Sequence, residues 1–174
     1  MHMSPAVEKY VLHWGEMGTR WGTNRTVAQI QALLYLSPEP LSADEIVDLL
    51  SVARSNVSTS IRELQGYGLV RMIHVLGDRR DYFESVSDVW DLFRIILEQR
   101  KQRELNPTLS MLRTCAEEVD AEADTDAVTK ERIRNMLGFI ETTSEWYDKI
   151  SEVPTPTLQK LMKLGAGIAK IVRD

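Results

Sequence analysis

Between Arg54 and Arg62 the chain carries Arg54, Ser55, Asn56, Ser58, Thr59 and Arg62, a run of guanidinium, hydroxyl and amide groups with no acidic side chain before Glu63. Such groups make hydrogen bonds with base edges and phosphate oxygens, so the run suits contact with double-stranded DNA. Farther along, Gly77-Asp78-Arg79-Arg80 brings two more guanidinium groups to a turn. Arginines so placed can enter a narrow A·T-rich minor groove, which carries an enhanced negative potential. Asp78 is the expected support for one of them, through a charge-assisted hydrogen bond. Other chemistries lack their residues. His13, His74 and Cys115 have no metal-ligand spacing, and Gly165-Ala166-Gly167 lacks the strand and the Lys-Ser/Thr of a phosphate loop. The expectation is a non-enzyme with no metal and no cofactor.

The two arginine-bearing segments need elements to position them. At about 100° per residue, Val57, Ile61 and Leu64 share one narrow arc of a helix over Arg54–Gln65, and Ser55, Thr59 and Arg62 lie opposite. Gly66 and Gly68 end that helix. Before it, Ser42-Ala43-Asp44-Glu45 is a capping box opening a short helix that buries Ile46, Leu49 and Leu50. After it, Leu69–Val75 and Asp81–Val86 are β-rich runs that flank the charged turn as a hairpin. A helix, a tight turn, a second helix and a hairpin make a winged helix-turn-helix. Helices at about Val7–Gly22 and Arg25–Leu36 precede this unit. Helices at about Trp90–Arg103, Leu105–Ala123, Val128–Ile150 and Leu158–Val172 follow it, with Pro107 near the start of the second. The predicted fold class is mainly α with a small β-hairpin wing, a winged helix-turn-helix plus N- and C-terminal dimerisation helices.

Composition agrees with that class. Of 174 residues, 43% are hydrophobic and 27% charged, with nine Gly and six Pro, which is globular and leans towards helix. One cysteine excludes an internal disulfide. The longest uncharged stretch, Thr26–Pro38, has thirteen residues, against about 18 for a membrane span. The N-terminus has no basic region followed by an apolar one, so the expected location is cytoplasmic and no membrane partner is expected. A net charge of −5 excludes a protein that coats nucleic acid indiscriminately, yet Ser51–Arg80 holds five arginines against two acids. Glu117–Asp126 is the reverse, six acids and no cation, and is read as a solvated helix end and loop.

Several strings together resemble a known family: Trp14-Gly15, Gly18, Trp21-Gly22 and Asn24-Arg25; Ala32-Leu33-Leu34-Tyr35-Leu36; Arg54-Ser55-Asn56-Val57-Ser58; and Gly77-Asp78-Arg79-Arg80. Over about Val7 to Arg103 the chain is similar to the GbsR-type branch of the MarR regulators. The resemblance implies a dimeric winged-helix transcription factor, with terminal helices forming the dimer and the second helix of the motif entering the major groove. Some members of that branch govern uptake or synthesis of choline and glycine betaine.

On this reading residues 1–23 are an N-terminal dimerisation helix, 24–103 the DNA-binding domain with a linker helix, and 104–174 a C-terminal dimerisation region. The expected function is that of a sequence-specific repressor, a homodimer on a palindromic operator. Surplus apolar stripes containing Trp14, Trp21, Trp146, Tyr147, Ile168 and Ile171 argue for the dimer. Tyr10, Trp14, Met17 and Trp21 recur at helical spacing and form the candidate site for a choline-like effector, since aromatic faces attract quaternary ammonium groups. The same stripe also reads as core or dimer seam. The rival function is a winged-helix module that binds protein instead of DNA.

Overall fold

In a computed structural model the described chain, residues 2–165, forms two compact units divided after Ile96. The first begins with α1 (Pro5–Arg20), whose N-cap Ser4 accepts from the amide of Val7 and whose first turn holds Pro5. The helix ends at Arg20, with Trp21 as its C-cap. Asn24 caps α2 (Arg25–Leu36) by accepting from the amide of Thr26 at 2.8 Å. Ser37-Pro38 stops α2, because the residue before a proline is pushed out of helical conformation. Ile30 and Leu33 of α2 are fully enclosed and form the centre of the core with Ile46, Val57 and Leu64. Burying each such side chain stabilises the fold by about 1.5–3 kcal/mol.

β1 (Leu41–Ser42) leads directly into α3 (Ala43–Leu50), where the capping box is complete: Ser42 Oγ accepts from the Glu45 amide, and Glu45 Oε2 accepts from the Ser42 amide at 2.8 Å. Ser51, in the left-handed region at φ 51°, makes the turn to α4 (Arg54–Gly66). β2 (Val70–His74) and β3 (Asp81–Ser85) form the hairpin. The hairpin is part of a larger sheet. β1 pairs with β3, giving the antiparallel order β1-β3-β2, with Leu41 opposite Phe83, Ser42 opposite Tyr82, and Ile73 opposite Tyr82 from the other side. Phe83 is buried, so the sheet closes the core beneath α2 and α4.

α5 (Val89–Arg100) turns Leu92 and Ile95 to the core of the first unit and leaves Phe93 exposed. Apolar residues line both sides of this helix, so periodicity alone does not say which side meets the core. A π turn (Lys101–Leu105) then leads into α6 (Asn106–Ala121), without the break expected ahead of Pro107. Proline has no amide to donate and its ring crowds the carbonyl four residues back. The wider turn, in which the Asn106 amide reaches the Lys101 carbonyl, lets the helical path continue past it.

The second unit is built on α6 and α7 (Ala127–Ser151), which run antiparallel, with α8 (Thr155–Leu164) after them. Arg113 pairs with Glu141 at 3.0 Å and Arg134 with Asp120. Asp126 ends the acidic run by capping α7, accepting from the Thr129 amide at 2.9 Å. The rest of the helix expected to reach Val172, with Ile168 and Ile171 and with Ala166-Gly167, lies outside the described residues. Among the described residues no helix is long and apolar enough to cross a membrane.

Candidate nucleic-acid interface

The turn at Ser51 delivers α4 with one face committed to the core. Val57, Ser60, Ile61 and Leu64 are buried, whereas Arg54, Ser55, Asn56, Ser58, Thr59 and Arg62 are all exposed. Ser60 completes the inner face; the apolar pattern did not single it out because a serine fits either side of a helix. Ala53 occupies the N-cap position and has no side-chain oxygen to offer. The positive end of the α4 dipole therefore faces outward without a carboxylate or hydroxyl cap, a surface suited to anions. The first acid, Glu63, accepts from the Tyr67 hydroxyl at 2.8 Å.

Two of the arginines are already engaged within the protein. Arg54 at the start of α4 forms an ion pair with Asp44 of α3, tying together the two helices of the motif. Arg62 Nε donates to the Ser58 carbonyl at 3.4 Å. In the wing, Gly77 at φ +86° makes the turn, and Asp78 gathers its neighbours. Asp78 Oδ1 accepts from the Arg80 amide at 2.9 Å, while Oδ2 accepts from Arg80 Nη2 at 2.6 Å and Nε at 3.0 Å. The Tyr82 hydroxyl donates to the same Oδ2 at 2.8 Å, and the Arg80 guanidinium lies 5.2 Å from the Tyr82 ring centre. These bonds, first from the Arg80 side chain, then from its amide and from Tyr82, hold Asp78 ionised far below the usual carboxylate range. The same Asp78 raises the pKa of the Tyr82 phenol, which keeps its proton. Arg79 is exposed and has no hydrogen bond or ion pair among the described residues. Tyr82 was not among the residues expected from sequence; only the ladder that brings it beside Asp78 reveals it.

The aromatic residues of α1 cluster as well. Trp14 stands between Tyr10 and Trp21, with ring centres 5.8 Å and 5.9 Å away, and Met17 is partly buried. The Trp14 and Trp21 rings meet edge to face, so no slot for a cation lies between them. His13 packs against Trp14, His74 lies 3.6 Å from Asp81, and Cys115 Sγ lies 3.5 Å from Met111 Sδ. No group of three or more His, Cys, Asp or Glu side chains is placed to hold a metal among the described residues.

Residues 21–81, which run from the end of α1 through the helix-turn-helix to the start of β3, match the MarR family. Two proteins of Bacillus subtilis (strain 168) are similar over most of the chain. The HTH-type transcriptional repressor GbsR is 21% identical over 131 residues, covering 74% of this chain and 72% of that protein. The HTH-type transcriptional repressor OpcR is 16% identical over 136 residues, covering 76% and 74%. The crystal structure of a transcriptional regulator superimposes with a TM-score of 0.66 at 20% identity, covering 84% of this chain and 96% of that one, and shares the winged-helix fold. The family is one of regulators, not of enzymes. With the exposed face of α4 and the wing in place, residues 21–81 match the MarR family and the chain as a whole is similar to HTH-type transcriptional repressors of the GbsR type.

Proposed function

We propose that the protein is a homodimeric repressor that reads a palindromic operator in double-stranded DNA. The observation that carries this reading is the outer face of α4, where six exposed donors and acceptors, Arg54, Ser55, Asn56, Ser58, Thr59 and Arg62, sit opposite a buried inner arc of Val57, Ser60, Ile61 and Leu64. In this reading Ser55, Asn56 and Thr59 meet base edges, and Arg62 and Arg79 meet phosphate. Arg80, supported by Asp78, enters the minor groove. Arg54 serves base or phosphate. Repression follows the two relatives, both of which are repressors by name.

Dimerisation is supported by apolar side chains that each unit leaves exposed: Trp14, Trp21 and Phe93 in the first, Met111, Met136, Phe139 and Trp146 in the second. Residues 1–23 and 104–174 are the proposed dimerisation regions, flanking the DNA-binding domain at 24–103. A twofold axis would present two copies of α4 to major-groove faces about 34–36 Å apart.

The test is selection of bound sequences from a random duplex library. Enrichment of a palindrome, with affinity falling steeply as salt rises, is the expected result. Absence of any enriched sequence would favour the protein-binding module. A second reading concerns Tyr10, Trp14, Met17 and Trp21. Half of Trp21 is exposed, so its outer face is open to a choline-like cation as well as to a partner subunit. The contact between the rings favours the dimer seam, and no change in operator affinity at millimolar choline or glycine betaine would leave the seam as the sole role.

A further inference from the structure

The wing poses a question that its charge alone does not answer. Arg80 is more than half exposed, and an exposed ion pair with one carboxylate leaves a long side chain mobile, because the pair gains little against solvent and rotamer entropy. Yet Arg80 is gripped at three places: its amide and its guanidinium fork both bond Asp78, and its guanidinium lies over the Tyr82 ring. Tyr82 also bonds the carboxylate that does the gripping. One residue thus acts on the arginine twice, directly through its ring and indirectly through Asp78.

Tyr82 is itself firmly held. It sits in the central strand, paired with Ile73 on one side and with Ser42, the N-cap of α3, on the other. The wing turn is therefore referenced to the start of the helix-turn-helix and not only to the hairpin. We propose that Tyr82 is a positioning residue for DNA binding: its ring and hydroxyl fix the Arg80 guanidinium in one orientation relative to the helix-turn-helix before DNA arrives. The proposal rests on the reading of Arg80 as a minor-groove contact. The guanidinium has five N–H groups, and the fork on Asp78 engages Nε and one hydrogen of Nη2. The remaining three point away from the carboxylate and are free for the acceptors that A·T pairs display in the minor groove. A phenol that donates to Asp78 also prevents that carboxylate from turning a bare oxygen towards phosphate.

The test measures operator binding by the full chain, using the selected duplex and a version in which the A·T pairs facing the wing are replaced by G·C. Tyr82→Leu removes ring and hydroxyl, Tyr82→Phe removes the hydroxyl alone, and Arg80→Ala is the reference. The expected result is a loss of about tenfold in affinity for the A·T duplex with Tyr82→Leu, a smaller loss with Tyr82→Phe, and a fall in the A·T over G·C ratio for both. The salt dependence should stay as in the native protein, since Arg80 remains charged. A role confined to folding would instead weaken both duplexes equally. In nitrogen-15 spectra the Arg80 Nε–H signal of the free protein should be protected from exchange, and less so in Tyr82→Phe, which tests the grip even if Tyr82→Leu is too unstable to assay. If Arg80→Ala abolishes the A·T preference while both Tyr82 variants keep it, the proposal is wrong and the wing reading stands. If Arg80→Ala itself changes neither affinity nor ratio, the wing reading fails and takes the proposal with it.

Discussion

Gly18 of α1 and Ala28 of α2 touch so closely that a methyl group built on Gly18 would lie 2.4 Å from the Ala28 Cβ. That atom is fixed to the backbone, so it cannot swing aside. Gly15, one turn earlier, is different, because its added methyl would meet Gln29 Cγ at 2.6 Å, part of a flexible side chain. A helical Gly→Ala change gains up to about 1 kcal/mol in propensity, while overpacking costs about 1–3 kcal/mol. Gly18→Ala should therefore lower stability in urea denaturation, and Gly15→Ala should lower it less, because Gln29 can change rotamer where the Ala28 Cβ cannot move. Adding Ala28→Gly to Gly18→Ala should recover much of the loss; a double variant no better than the single one would refute the contact as the cause.

The capping box makes stability respond to acid. Hydrogen bonds from the Ser42 hydroxyl and then its amide lower the Glu45 pKa in the folded protein below its ordinary value of 4.5. A folded pKa below the unfolded one adds stability above 4.5, and that contribution fades as pH falls through the lowered value. Glu45→Gln should flatten the acid limb of the stability curve below pH 4.5. Ser42→Ala should cost about 1 kcal/mol at neutral pH. Parallel curves for the native protein and Glu45→Gln would count against this account.

Asp44 neutralises Arg54 at the front of α4. If Arg54 faces DNA as proposed, Asp44→Asn should tighten binding to nonspecific duplex and steepen its salt dependence, by about 0.9 in the log–log slope for one further phosphate neutralised. Arg54→Ala on the Asp44→Asn background should remove the gain. An unchanged slope in Asp44→Asn would place Arg54 away from phosphate.

Phe139 is 65% exposed and Trp146 61% exposed on α7, which no isolated chain gains by displaying. Light scattering at micromolar concentration should find twice the 19.9 kDa chain mass. Phe139→Asp with Trp146→Asp should shift the particle towards the single-chain mass and weaken operator binding together. A native particle of 19.9 kDa would reject the dimer.

What the sequence determined by itself was whatever depends on neighbours within about one helical turn. The bounds of α2 follow from Asn24 and from Ser37-Pro38, the start of α3 from Ser42 and Glu45, and the exposed face of α4 from a 100° step that puts Val57, Ile61 and Leu64 together. Each is a local hydrogen bond or a local periodicity, written into consecutive residues. Tertiary structure decided the pairings that close long loops. β1 has two residues, too few to show alternation, and becomes a strand only because β3 lies beside it. Which side of α5 is core was open, since Leu92 and Phe93 are equally apolar and only the partner selects between them. The same holds for Arg54 with Asp44 and for Tyr82 with Asp78, contacts whose existence depends on the path of the turn between them. A side chain's chemistry is fixed by its type, but the partner that orients it is fixed by the fold.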